Sequence, residues 1–361
     1  MRKKQTSVVL LFALIAVAFQ NCSKKDNAGE APSYYDAAVT SVLNLPNAPY
    51  NYVVSFPSHI AAALTSTDNT PANNQLTNDG ATLGRVLFYD KNLSRNKTIS
   101  CGSCHQQAFS FDDTAIKSKG FAGGSTRRHS MPLLNVRFYQ SGKMFWDERA
   151  ASLEAQVLMP IQDATEMGMT LQQLLDTVKA KPYYPQLFQK AFGSTEITTD
   201  KISKALAQFV RSIVTYQSKY DRVKQGIESF TLLEQQGETL FNTAPPGPPP
   251  PPGAPARLSC NSCHTAPMFL TSTPGGPFQL VDSTDLGINN EGRFKSVSLR
   301  NVAMIAPHFH NGSVSNLTQV LSTNIPAHNV PAADLNKFLA FLQTLSDNTV
   351  LTDPKFSNPF R

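Results

Sequence analysis

The chain has no cysteine to spare for disulfides. Its five cysteines divide into two Cys-x-x-Cys-His sequences, at 101–105 and 260–264, plus Cys22, so a disulfide framework does not hold this fold together. Charge is scarce as well: Asp, Glu, Lys and Arg make up 16% of the 361 residues, too few for a charged tail or a typical disordered segment. The formal charge of +6 falls to +3 once Arg2, Lys3 and Lys4 of the leader are set aside, which is too thin and dispersed to point to nucleic acid. Strand-like alternation of apolar and polar residues is rare, and beyond the first twenty residues no apolar run approaches membrane length.

What is there begins with a leader. Met-Arg-Lys-Lys precedes an apolar stretch from Val8 to Phe19 and then Gln20-Asn21-Cys22, a pattern that predicts export, with residues 1–21 as signal peptide. Cys22 is then the candidate for lipidation, giving a periplasmic, lipid-anchored protein whose only membrane attachment is that lipid. Phe-Gln-Asn lacks the small residues usual before a lipoprotein cysteine, so an ordinary signal peptide is the alternative. Residues 22–50 are polar and read as a tether.

From Leu83 a pattern begins that recurs. Gly84-x-x-Leu87-Phe88 precedes the first Cys-x-x-Cys-His sequence, and Gly237-x-x-Leu240-Phe241 precedes the second. Two copies of helix-then-motif predict two related domains, 51–225 and 226–361. The second copy is lengthened by residues 244–255, whose five consecutive prolines form an extended surface insertion. Ile202, Leu206, Phe209, Val210 and Ile213 follow helical spacing behind the capping candidates Thr199 and Asp200, and Leu335, Phe338, Leu339, Leu342 and Leu345 do the same near the end. The expected fold is mainly α, with long loops organised around a prosthetic group.

Cys-x-x-Cys-His suits covalent haem for a mechanical reason. Two thiols add across the porphyrin vinyl groups, and the adjacent imidazole then lies under the iron. Cys101 and Cys104 with His105, and Cys260 and Cys263 with His264, thus predict two haem c groups. A redox dithiol would want a βαβ setting, and zinc would want four ligands gathered in one domain.

From about Leu83 to Asp347 the chain resembles the bacterial di-haem cytochrome c peroxidases, a family that includes the methylamine-utilisation di-haem enzyme. The resemblance rests on Leu83-Gly-Arg-Val-Leu-Phe88, both haem motifs, Phe145-Trp-Asp-Glu-Arg-Ala150, Gln156, Pro160-Ile161, Glu166-Met167, and Leu299-Arg-Asn-Val302 leading into Pro307-His-Phe-His-Asn-Gly312. It implies two cytochrome c-like domains with the N-terminal haem reducing hydrogen peroxide. The C-terminal haem would take electrons from a reduced c-type cytochrome or cupredoxin. The family's inter-haem tryptophan falls on Trp146, the sole tryptophan, and its distal glutamine and glutamate fall on Gln156 and Glu166. A carboxylate above the iron can take a proton from one peroxide oxygen and return it to the other. A homodimer is also compatible with the family.

The sequence departs from the family pattern in three places. The distal histidine of members that need reductive activation would fall on Phe121, which cannot bind iron, so the first haem is expected to be open as isolated unless a loop shift brings in His129. The sixth ligand of the second haem would fall on Asn324; His328 is the substitute, ahead of Met304 and Met268. The position that supplies a side chain to an interdomain calcium is His129, so calcium is not expected although the family allows it. The alternatives to a peroxidase are a di-haem electron carrier, with both irons six-coordinate, and an oxidase of the methylamine-utilisation type.

Overall fold

Helices form where capping residues precede apolar spacing, and small residues decide how closely they pack. A computed structural model describes residues 33–244, 258–271, 284–323 and 328–361. The predicted leader, Cys22, the start of the tether, Asn324 and nearly all of the proline insertion lie outside the described residues. Residues 35–361 form one compact unit, helical among the described residues, with β-pairing limited to isolated bridges. No helix among the described residues is long and apolar enough to cross a membrane.

The site rests on α1 (Asn78–Tyr89), α2 (Tyr184–Phe192), α3 (Thr199–Ser212), α4 (Leu232–Asn242) and α5 (Ala332–Gln343). Thr77 starts α1 by accepting from the Gly80 amide at 3.0 Å, and Asp79 complements the helix dipole in the first turn. The cap of α3 lies one residue before the expected Thr199 and Asp200: extended Thr198 accepts from the Lys201 amide at 3.2 Å. At α4, Thr231 and Glu234 cap each other's amides reciprocally.

The repeated glycine marks where helices cross. A Cβ on Gly84 of α1 would lie 2.0 Å from the Ala205 carbonyl oxygen and 2.7 Å from Phe209 Cβ of α3. A Cβ on Gly237 of α4 would lie 2.0 Å from the Lys337 carbonyl oxygen and 2.7 Å from Phe341 Cβ of α5. The phenylalanine four residues on then meets the partner helix's ring: Phe88 and Phe209 centroids are 5.1 Å apart, Phe241 and Phe341 5.2 Å. Two helix pairs are therefore built to one plan. α2 packs on α1.

A second repeat pins the loop that follows each motif. Asn135 and Asn301 both take left-handed backbones with φ of 63°. Asn135 Oδ1 accepts from the Thr215 amide just past α3, and Asn301 Oδ1 accepts from the Asp347 amide just past α5. Each amide nitrogen then reaches across to the other half, Asn135 to Ser298 Oγ at 3.2 Å and Asn301 to Ser110 Oγ at 3.1 Å. The chain's end returns to the first half, where the Tyr52 and Tyr89 hydroxyls and Arg85 donate to the carbonyls of Lys355, Phe356 and Pro354.

Gly84→Ala and Gly237→Ala each force a helix crossing apart, and overpacking of this kind costs about 1–3 kcal/mol. Denaturant unfolding of the haem-loaded protein should show both variants destabilised by that order. Unchanged midpoints would mean that the helices do not cross this closely.

Candidate active site

Each Cys-x-x-Cys-His sequence folds into a tight turn that brings its three side chains to one cavity. In both, the histidine amide donates to the carbonyl of the first cysteine at 2.9 Å: His105 to Cys101 and His264 to Cys260. The histidine rings are then oriented from behind. His105 Nδ1 lies 3.2 Å from the Phe111 carbonyl oxygen, and His264 Nδ1 lies 3.1 Å from the Val297 and 3.4 Å from the Phe269 carbonyl oxygens. A carbonyl only accepts, so Nδ1 carries the proton and Nε2 keeps its lone pair free for a metal. Burial lowers the pKa of both rings to about 4, holding them neutral as ligation requires. Phe111 and Phe269 carry positive φ of 57° and 52°, a strained backbone that buried rings hold in place.

The four motif cysteines form no disulfide. Burial pushes the Cys101 thiol up to about 12 and those of Cys104 and Cys260 to about 11, opposite to the depressed values of a reactive redox dithiol. Among the described residues no group of three or more His, Cys, Asp or Glu side chains is placed to hold a metal ion. Two thiols and one free imidazole nitrogen on an apolar cavity are the donor set that fits a haem, and both sites have it.

The two cavities differ in chemistry. An inner cavity of about 660 Å³ in the first half is lined by Cys101, Cys104, His105, Phe88, Leu206 and Val210, together with Gln156 and Glu166. His105, Gln156 and Glu166 also line an adjoining cavity of about 1360 Å³. Burial, then the neighbouring Asp163, raises Glu166 to about 7, despite the opposing charge of Arg149. The second-half cavity, about 1210 Å³, is lined by Cys260, Cys263, His264 and His328 with apolar side chains of α4 and α5, and no carboxylate is among its described walls. Gln156 and Glu166 thus line one cavity with His105, and His328 lines another with His264.

Trp146 lines both the adjoining first cavity and the second one, and among the described residues it alone does so. Its indole N–H donates to the His129 carbonyl at 2.9 Å. The His129 amide in turn donates to the His310 carbonyl at 2.7 Å, tying the Trp146 support to the second half. The His129 ring is engaged on both sides, with Nδ1 3.0 Å from the Ala115 carbonyl oxygen and Nε2 3.2 Å from buried Asp112 Oδ1. Burial alone would lower its pKa, but the Asp112 carboxylate and the carbonyls outweigh burial and raise it. A ring held in this way is not available to the first iron.

Phe121 is positioned by the same stretch that carries Glu166. Its amide donates to the Glu166 carbonyl at 2.9 Å, its carbonyl accepts from Asn96, and its ring occupies the space a Cβ on Gly168 would need. It lines neither first-half cavity. Sequence reasoning missed the Asn135–Asn301 correspondence, although Leu-x-Asn-Val stands at both 133–136 and 299–302.

The chain is similar to proteins already known. Residues 78–229 match the family model for di-haem cytochrome c peroxidase. Over 263 residues the chain is 33% identical to the methylamine utilization protein MauG of Methylorubrum extorquens, covering 70% of each. It is 31% identical over 296 residues to cytochrome c551 peroxidase of Nitrosomonas europaea, covering 78% of this chain and 83% of that one. Among solved structures, a MauG-like protein associated with microbial copper homeostasis superposes with a TM-score of 0.71 at 26% identity, over 86% of this chain and 99% of that one. The di-haem peroxidase BthA of Burkholderia thailandensis shares the fold, with a TM-score of 0.62 at 20% identity.

With Phe121 packed on Gly168 and the His129 ring engaged elsewhere, the oxidised haem-loaded protein should show a high-spin iron as isolated, without prior reduction. Electron paramagnetic resonance or resonance Raman spectra containing only low-spin iron would refute this.

Proposed function

Because the chain belongs to the di-haem cytochrome c peroxidase family, we propose that it reduces hydrogen peroxide to water in the first-half cavity. Electrons come from a reduced small c-type cytochrome or cupredoxin. They enter through the second half and reach the first by way of Trp146. Haem c is attached through Cys101 and Cys104 in one domain, 51–225, and through Cys260 and Cys263 in the other, 226–361. The protein is exported to the periplasm and anchored there by a lipid on Cys22.

The observation that carries this reading is the asymmetry of the two cavities: Glu166 and Gln156 stand with His105, whereas no described carboxylate stands with His264. When bound, haem would supply a redox-active iron at which the peroxide O–O bond can be reduced, and His105 and His264 would hold it, one in each half. Glu166 takes the proton from the near oxygen of the peroxide and gives it to the departing oxygen, which leaves as the first water; two electrons from the donor and two protons from solvent convert the near oxygen to the second. A carboxyl held near 7 can accept and return a proton at neutral pH. The Gln156 amide offers both a donor and an acceptor to orient the peroxide. Trp146, as the wall common to both sides, offers a π-system between them.

Two measurements test this. In stopped-flow mixing of the haem-loaded protein with peroxide, Glu166→Gln should slow the spectral change by about 10²–10⁴-fold, the usual worth of a positioned acid–base group. Equal rates for the two proteins would remove Glu166 from the mechanism. Because the raised value makes the carboxylate form appear only as pH climbs, the wild-type rate should rise with pH through about 7, and Glu166→Gln should flatten that rise. A profile flat from pH 5 to 9 in the wild type would contradict the base role.

A further inference from the structure

Besides His264, the second-half cavity holds His328, whose Nδ1 has no hydrogen-bond partner among the described residues. We infer that His328 is the second axial ligand of the iron that His264 carries, which rests on the reading that Cys260, Cys263 and His264 hold a haem.

The cavity itself narrows the choice of ligand. Besides His264, its described walls offer His308, His310, His328 and Lys295, and neither a methionine nor a tyrosine lines it. Met268 and Met304, the sulfur alternatives in the sequence, are therefore not on its surface. Lys295 is occupied: its ammonium pairs with Glu148 at 3.2 Å, donates to the Lys143 carbonyl and sits 4.0 Å over the Tyr139 ring. His310 lies flat on Phe294, with centroids 3.5 Å apart and planes 8° from parallel, and its carbonyl holds the His129 amide. Its ring is thus engaged by Phe294.

His308 and His328 remain. His308 Nε2 is buried without a hydrogen bond among the described residues, which makes it the rival. It stands on the loop of His310, whose backbone is tied to His129 in the first half. His328 stands on the wall built by the second half's own core. The Ser322–Asn329 bridge and a 2.8 Å bond from the Val330 amide to the Leu321 carbonyl fasten its neighbours to the helix Leu317–Leu321. Leu317 and Leu321 line the cavity and pack with Phe241, Phe338 and Phe341.

The ring of His328 is roughly parallel to Phe309, 5.8 Å between centroids at 20°. Its Nδ1 is buried with no hydrogen-bond partner among the described residues. An imidazole in an apolar cavity with unsatisfied nitrogen is costly unless something outside the protein binds it. With haem bound, His264 and His328 together would close that iron to peroxide, the condition for a carrier, and the reaction would fall to the half that holds Glu166.

The experiment uses the full haem-loaded protein and its His328→Gly and His308→Gly variants, with haem content measured beside near-infrared magnetic circular dichroism and paramagnetic resonance of the oxidised state. The wild type should carry two haems and a bis-imidazole charge-transfer band. His328→Gly should keep both haems, lose the bis-imidazole signal completely to high-spin iron, and regain it on addition of imidazole; His308→Gly should keep it. The inference is overturned if His328→Gly with two haems retains the signal, or if His308→Gly loses it instead. Should the His328 variant fail to load haem, the wild-type band decides alone, and a methionine- or amine-type band rejects His328. Peroxide-inert wild type with an intact bis-imidazole band would refute the peroxidase reading and leave the ligand assignment standing. Fewer than two haems per chain would overturn both.

Discussion

Everything chemical about this protein depends on how two imidazole rings are held from behind. A histidine beside two cysteines can turn either nitrogen toward a cavity, and only one choice leaves a lone pair on the correct side. Main-chain carbonyls make the choice here, Phe111 for His105, and Val297 with Phe269 for His264. A carbonyl cannot donate, so the proton must sit on Nδ1 whatever the pH within the neutral range. Those carbonyls are aimed by phenylalanines in left-handed backbone whose rings are buried. Apolar packing is thus converted into the orientation of a metal ligand.

The same device appears twice because the scaffold does. A glycine crossing, a ring contact one turn later and a left-handed asparagine bonded just past the second helix recur in each half with matching geometry. Function lies in what the repeat does not share. The first half carries Gln156 and Glu166 on the segment between its motif and α3. Two equivalent scaffolds thus acquire different cavities, one with a carboxyl near neutrality and one with histidine on apolar walls.

The halves are joined by buried polar contacts. Asn135 reaches Ser298 while Asn301 reaches Ser110, and the Arg300–Asp221 pair, wholly buried, is bidentate at 2.7 and 2.8 Å. Asp221 also faces His59 at 3.0 Å, and Arg300 holds its carboxyl down at about 2 against the effect of burial. Buried groups of this kind tolerate little displacement, since an unpaired member would be left without solvent. Such an interface suits a rigid Trp146, whose hydrogen-bond acceptor, His129, is itself bonded to the second half.

Much of this was written in local sequence. Cys-x-x-Cys-His needs no tertiary context to declare three side chains on one turn, because the backbone of five residues brings them together. The glycine repeat declared two helix-and-motif modules, and apolar spacing declared α3 and α5. What spacing could not decide was anything set by contacts between distant segments. Thr198 displaced the expected cap of α3 because capping depends on which hydroxyl meets an amide in space. Phe121 was legible as a residue unable to bind iron, but its packing on Gly168 was not. His328 could be counted as a candidate. Only the folded chain put it in one cavity with His264 and kept Met268 and Met304 off that surface, because a cavity is lined by whatever several elements jointly turn inward.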